Sequence, residues 1–310
     1  MAKISIYYLH CSLPNSSKVL KIFQEDVIEN PNRMFAVPEF KYLISKPECS
    51  RNGSAPYFVT LVNSSPTQYQ RRAACRETWA HSDPRTKTYF MIGIPQTKSL
   101  QRKIDEEEAQ FHDILQGNFI DSYHNLTYKY TMALKWFSEN CPDVKYLLKL
   151  DDDVFVNVPA MYEFLVTNKN DQKFILGIYY PPQPTGRIGK WKISYEDVRE
   201  KFIPEYASGQ SVIYSSDFVK EAYKRTFTTP YLWIDDIYIA GYIRMQLNAR
   251  IEPIYPLRLS DDALQMVLNG TTKTLPEPMF IVSEHDRKYD DMIKLWKFTE
   301  EYRKAHPHGM

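Results

Sequence analysis

Apolar residues in the first half of the chain fall into two alternating kinds of stretch: short continuous runs and longer runs with helical spacing. YFVTLVNS (57–64) is continuous and β-rich, which predicts a strand buried on both faces. SPTQYQRRAACRETWA (65–80) follows with helical spacing and a Ser-Pro-Thr start. TYFMIGI (88–94) reads as a second buried strand. SLQRKIDEEEAQFHDILQ (99–116) reads as a charged helix with Leu100, Ile104, Phe111 and Leu115 on one face. NFIDSY (118–123) is a short strand, NLTYKYTMALKWFSENC (125–141) an amphipathic helix, and YLLKLD (146–151) another buried strand. Repeated strand–helix alternation predicts an α/β fold, a parallel sheet with helices on both faces.

The second half is less regular. FILGIYY (174–180) reads as a strand and PPQPTGRIGK (181–190) as a loop. Residues 190–225 mix short segments with one helix. YLWIDDIYIAGYIRMQL (231–247) holds an acidic pair in an apolar setting, and DDMIKLWKFTEEYRK (290–304) predicts a closing helix. Residues 1–54 carry polar clusters and a single helical patch, so they read as a stem or lead-in. Residues 55–310 then form the compact domain.

Composition narrows the function classes. With 39 basic and 38 acidic residues the net charge is +1, so neither a nucleic-acid partner nor a polybasic membrane anchor is indicated. Glycines number 10, and neither GxGxxG nor GxxxxGK[ST] occurs, which argues against dinucleotide and P-loop sites. The four cysteines form no CxxC pair, so a cysteine-rich zinc site is not indicated. Asn-x-Ser/Thr sequons at Asn15, Asn52, Asn63, Asn125 and Asn269 point to the secretory pathway. No stretch of about 18 apolar residues is present to span a bilayer.

Candidate chemistry sits where acids interrupt apolar sequence. Asp151, Asp152 and Asp153 directly follow YLLKL. Three adjacent carboxylates repel one another, and ionising all of them in a partly buried place costs energy without a counter-charge. A hard divalent cation, Mg²⁺ or Mn²⁺, supplies one, usually on one or two carboxylates together with phosphate oxygens. Ligands of parallel sheets gather beyond the carboxyl ends of strands, where this strand leaves the acids. On an extended backbone Asp151 and Asp153 share a side, and Asp152 points away or touches a sugar hydroxyl. The plain alternative is a solvated acidic turn. The second pair is Asp235–Asp236: a buried carboxylate with a like-charged neighbour serves as a general base, whereas a helix N-cap explains the same residues structurally. His285 is a surface polar residue unless a metal needs a nitrogen ligand.

RRAACRETW (71–79), NFIDSYHNLTYKY (118–130), KLDDDVFVN (149–157) and IDDIYIAG (234–241), with KWKIS (190–194) and PEYASGQSVIYSS (204–216), resemble in order and spacing the β-1,3-glycosyltransferases, including the galactosyl and N-acetylglucosaminyl enzymes and the more distant fringe proteins. The resemblance covers about residues 56–300. It implies a GT-A-type nucleotide-binding α/β/α sandwich with a mostly parallel central sheet. It also implies a UDP-sugar donor, Mn²⁺ or Mg²⁺, and inversion to a β1,3 link on a glycan acceptor of a glycoprotein or glycolipid. Asp151 and Asp153 would be metal ligands, completed by His285. Asp236 would be the base, with Asp235 a second candidate because the family often has Glu there. Arg76, Lys149, Asp151 and Asp152 are expected near the nucleotide, and Trp191, Tyr206 and Gly209 along the donor and acceptor wall. The implied location is the Golgi lumen, as a type II membrane protein whose anchor lies outside this chain.

Departures from the family pattern leave some readings open. Ser211 and Val212 stand where the family has Gly and Tyr, beside the expected sugar pocket. Cys75 replaces an aliphatic residue, and either a disulfide with Cys49 or a small buried thiol accounts for it; Cys141 has no evident partner. A non-catalytic glycan- or nucleotide-sugar-binding relative is the alternative function, and a metal-dependent phosphohydrolase a third. The motifs do not name the sugar.

Overall fold

A computed structural model describes residues 41–46, 49, 55–167, 172–254, 258–273 and 288–305. In the first half, strands β2 (Phe58–Asn63), β3 (Thr86–Ile94), β4 (Ile114–Ile120) and β5 (Tyr146–Asp151) alternate with helices α1 (Tyr69–Glu77), α2 (Lys98–Phe111) and α3 (Leu126–Asn140). The four strands are parallel, in the order β4-β3-β2-β5. The helix expected over 99–116 is shorter. His112 turns into the left-handed region, at φ 54°, and closes α2, so Ile114 and Leu115 enter β4 instead.

The second half adds α4 (Val158–Thr167), β6 (Phe174–Tyr180) and a two-stranded ribbon of β7 (Gln183–Pro184) and β8 (Phe202–Ile203). It continues with β9 (Tyr206–Ser215), α5 (Ser216–Arg225), a π-helical segment Ile237–Ile243, β10 (Arg250–Pro253), α6 (Asp261–Leu268) and α7 (Tyr289–Ala305). The central sheet has eight strands, counting β1 (Tyr42–Ile44) at one edge: β1-β4-β3-β2-β5-β9-β6-β10. It is mostly parallel. Antiparallel β9 sits between β5 and β6, and β1 runs antiparallel to β4. The ten-residue β9 is the main surprise, because its YASGQS start is too small and polar to read as an inner strand.

Each face of the sheet carries its own core. Leu61, Met91, Leu147, Val212 and Tyr214 pack on one face with α3, α5 and the π-helical segment. Phe58, Val62, Phe90, Leu148, Leu150 and Ile213 pack on the other with α1, α4, α6 and α7. Burial on both faces explains the continuous apolar runs of β2, β3 and β5.

Part of the span read as a lead-in belongs to this body. β1 pairs with β4, the Trp136 indole donates to the Lys46 carbonyl at 2.8 Å, and Cys49 forms a disulfide with Cys141. This replaces the Cys49–Cys75 pairing: Cys75 is a fully buried free thiol on α1, on the opposite face of the sheet. No helix among the described residues is long and apolar enough to cross a membrane.

The Cys49–Cys141 bridge closes a loop of 92 residues, and its removal from such a loop costs about 2–5 kcal/mol in the chain-entropy picture. Cys141→Ser is therefore expected to lower the thermal midpoint and to make it insensitive to reductant. Paired melts of wild type and variant, with and without reductant, check this.

Candidate active site

The site is built at the carboxyl end of β5 and around the middle of β9. Side chains alternate along β5, so Leu148 and Leu150 enter one core while Lys149 and Asp151 point to the opposite face. β9 lies beside β5, pairing Lys149 with Val212 and Leu150 with Ser211. Gly209 stands just beyond this register. A Cβ there would meet the Asp236 Cβ at 3.2 Å and the Lys149 Nζ at 3.2 Å. Glycine thus lets the β9 backbone close on both.

Lys149 is the centre of the cluster, with 3% of its surface exposed. Its ammonium lies 3.2 Å from Asp151 Oδ1 and 3.7 Å from Asp235 Oδ2, and it donates to the Gly209 carbonyl. Burial works to lower its pKa, but Asp151 and Asp235 outweigh this, so the net shift is upward and the lysine stays charged. Two acidic clusters some eighty residues apart in sequence are thereby joined through one cation.

The aspartates at the end of β5 do not alternate as they would on an extended chain. The strand ends at Asp151 and the backbone turns, with the Val154 amide donating to the Asp151 carbonyl at 3.3 Å. Asp151 Oδ1 accepts from the Asn63 amide at 3.0 Å. Asp152 Oδ2 accepts from the Ser64 hydroxyl at 2.6 Å. Arg71 joins the other two acids, donating to Asp152 Oδ1 at 3.2 Å and Asp153 Oδ2 at 3.0 Å. Burial pushes Asp152 up to about 6, a rise opposed by Ser64 and Arg71.

Asp235 and Asp236 differ in access. Asp235 is buried at 8% exposure and faces Lys149. Asp236 is half-buried; its Oδ1 accepts from the Ile237 amide at 2.8 Å and its Oδ2 from the Gly209 amide at 3.1 Å. The capping role is therefore real, and it belongs to Asp236 itself. Burial raises both carboxyls. Lys149 opposes the rise at Asp235, whereas the neighbouring Asp235 charge adds to it at Asp236, which reaches about 7. The π-helical segment that follows is buried throughout, a geometry frequent at functional sites.

An aromatic wall leads away from this pair. Trp233, three residues before Asp236, has its ring 4.5 Å from His124 and 5.9 Å from Tyr123. The Tyr123 hydroxyl accepts from the indole of Trp191, which is 60% exposed, at 2.6 Å. Tyr206, at the start of β9, stacks on Tyr180 with centroids 5.2 Å apart.

Arg76 has partners outside the two acidic clusters. The Arg76 guanidinium is held by Asp113 at 2.8 Å and Glu107 at 2.7 Å, between the rings of Phe90 and Phe111. Ser211 and Val212 are fully buried within β9. His285 lies outside the described residues. Two residues were missed: Arg71, which stands in the RRAACRETW motif, and Lys129, which sits on the buried face of α3. Lys129 donates to the Ser64 carbonyl at 2.6 Å and pairs with Asp121 at 2.9 Å. A cation at a core position of an amphipathic helix is the signal that marks it. Asn63, read as a sequon, uses its amide on Asp151.

Among the described residues no three His, Cys, Asp or Glu side chains gather into a group that holds a metal ion alone. The available chemistry still suits a hard cation, since Mg²⁺ bound with a diphosphate uses one or two carboxylates and fills its other places with phosphate and water oxygens.

Residues 70–254 match the galactosyltransferase family, a span that holds both acidic clusters and β9. The chain belongs to the galactosyltransferase family. Among its relatives, beta-1,3-galactosyltransferase 5 of Pan paniscus is 29% identical over 218 residues, covering 67% of this chain and 71% of its own. Beta-1,3-galactosyltransferase 1 of Mus musculus is 29% identical over 257 residues, covering 77% and 78%. A solved glycosyltransferase involved in glycosylating the major capsid of PBCV-1 superposes with a TM-score of 0.36 at 13% identity, covering 66% of this chain and 84% of its own. That likeness carries no weight beside the sheet itself. As a family member the chain is a glycosyltransferase, and its helix-covered, mostly parallel sheet is the GT-A-type sandwich.

Removing Lys149 leaves Asp151 and Asp235 without their shared counter-charge, and breaking a buried pair in this way costs about 3–5 kcal/mol. Lys149→Met is expected to show that loss in urea unfolding at pH 8. A loss below about 1 kcal/mol would show that the ammonium does not hold the clusters together.

Proposed function

We propose that this protein is an inverting hexosyltransferase. It moves galactose or an N-acetylhexosamine from a UDP-sugar to a hydroxyl of a glycan acceptor, carried on a glycoprotein or glycolipid, in β1,3 linkage. The observation that carries this reading is the meeting of the two acidic clusters at Lys149, in a chain of this family. One cluster has carboxylates suited to the donor diphosphate and a cation. The other offers a half-buried carboxylate poised to take a proton.

In this reading Asp236 is the base. Its Oδ2 removes the proton of the acceptor hydroxyl as that oxygen attacks the anomeric carbon. The bond from that carbon to UDP breaks on the opposite side, so a single displacement inverts the centre and needs no protein nucleophile. Asp235 is the weaker candidate, because its carboxylate is turned to Lys149 at 3.7 Å and its surface is closed to a substrate. Its charge instead raises the affinity of Asp236 for the proton.

Asp151 and Asp153 would hold the Mn²⁺ or Mg²⁺, with His285 as the third ligand by family resemblance. When bound, the ion would offset the negative charge that grows on the leaving diphosphate. Asp152, fixed by Ser64 and Arg71, orients the turn that carries both ligands. Trp191 and Tyr206 would wall the acceptor and sugar, and Gly209 the floor between Lys149 and Asp236. The Golgi lumen is the proposed location, on the sequons and the family.

Asp236→Asn tests the assignment. It is expected to lower kcat about 10²–10⁴-fold, the usual loss for a general base, while UDP binding in the presence of Mn²⁺ is kept. Full loss in Asp235→Asn with an active Asp236→Asn would overturn it. Asp153→Ala is expected to remove the Mn²⁺-dependent part of UDP binding, measured by calorimetry with and without chelator. The pH profile follows in sign: a carboxyl raised to about 7 accepts a proton only when ionised, so kcat/KM should rise with pH through about 7. A profile flat from pH 5 to 8 would contradict the role of Asp236.

A further inference from the structure

The loop that carries Trp191 is folded around one side chain. Arg187 Nη1 donates to the carbonyls of Ile193 at 3.1 Å and Ser194 at 2.8 Å, and Nη2 donates to the carbonyl of Glu200 at 3.0 Å. Its guanidinium carbon also lies 3.9 Å from the centre of the Tyr195 ring. The Ile193 amide closes the loop on the Gly186 carbonyl at 2.8 Å. At the tip Gly189 has φ +81°, in the left-handed region, and nothing lies within 4 Å of where a Cβ would stand. Trp191 lies inside this closed turn, and its indole donates to the Tyr123 hydroxyl.

A loop of exposed residues has no reason to hold one shape unless its backbone groups are tied, because each freed residue gains conformational entropy. Arg187 supplies three of those ties from a rigid planar fork, a geometry that lysine, a point charge on a flexible stem, does not reproduce. Nothing in its contacts reaches the acidic clusters. The turn it ties meets the aromatic wall at Tyr123, through the Trp191 indole and through the Lys190 ammonium, which lies 4.6 Å from the Tyr123 ring centre.

We propose that Arg187 is a positioning residue for the acceptor: it fixes the turn that holds Trp191 against Tyr123, and so sets acceptor affinity without touching either substrate. The inference rests on the reading of Trp191 and Tyr206 as the wall of acceptor and sugar given above, and assigns Trp191 to the acceptor part of that wall. It separates the two substrates, because the acidic clusters proposed for the donor diphosphate lie on β5 and beside β9, and Arg187 touches none of their residues.

The test is a kinetic cycle with UDP-galactose as donor probe and p-nitrophenyl β-N-acetylglucosaminide as acceptor probe. Arg187→Lys is expected to raise the acceptor KM about tenfold, equivalent to about 1.4 kcal/mol, with donor KM and kcat within about twofold of wild type. Gly189→Ala, which strains the same turn from its tip, is expected to give the same split. In a Trp191→Ala background Arg187→Lys should add nothing further, as coupled residues require. An unchanged acceptor KM, a parallel rise in donor KM, or multiplying effects in the double variant would each overturn the proposal. Absence of transfer by the wild type would instead overturn the activity proposed above. The turn is then judged by acrylamide quenching of tryptophan emission: Arg187→Lys should increase quenching in the wild-type background and not in Trp191→Phe, and no increase would refute the role of Arg187.

Discussion

One buried ammonium sets the geometry of the site. Lys149 stands on an inner strand, surrounded on its own face by Tyr130 and the π-helical segment, where an unpaired cation would be expensive. It is tolerated because Asp151, Asp235 and the Gly209 carbonyl meet it there. The same contacts draw the end of β5, the middle of β9 and the start of the π-helical segment to one point. Truncating the lysine would leave Asp151 and Asp235, two like charges, without the cation between them.

From that point the division of labour follows from access. Asp235 is closed off by its ion pair, and Asp236 keeps an open edge while its backbone donors fix its orientation. At the end of β5, Arg71 and Lys129 do for Asp152, Asp153 and Ser64 what Lys149 does between the clusters. The three cations sit on α1, α3 and β5, so the acids are held by separate elements of the sandwich rather than by one loop. The aromatic wall reaches outward from Trp233 to Trp191, away from the charged interior.

The first half of the fold was legible because β2, β3 and β5 are covered on both faces, which writes a continuous apolar run into the sequence. β9 was not, because its close approach to Lys149 and Asp236 demands Gly209 and small neighbours, and those residues erase the strand signal. The chemistry that makes the site also hides the element that carries it. Asp151–Asp153 and Asp235–Asp236 stood out as acids in apolar surroundings. Their connection did not, since Lys149 looks like any strand lysine until the partner strand is placed. The bridge from Cys49 to Cys141 was equally out of reach, because pairing among cysteines depends on where β1 docks, and a three-residue run is too short to show that it edges the sheet.

A single displacement with Asp236 as base fixes the stereochemistry of the product, so the anomeric configuration is the quantity to measure. The protein would be incubated with UDP-galactose, UDP-N-acetylglucosamine or UDP-N-acetylgalactosamine, Mn²⁺ and a panel of glycan acceptors, and the product read by NMR. A new β-anomeric proton, linkage to O3 of the acceptor, and UDP release that depends on the acceptor are expected. An α-linked product, or UDP released equally fast without acceptor, would contradict the single displacement.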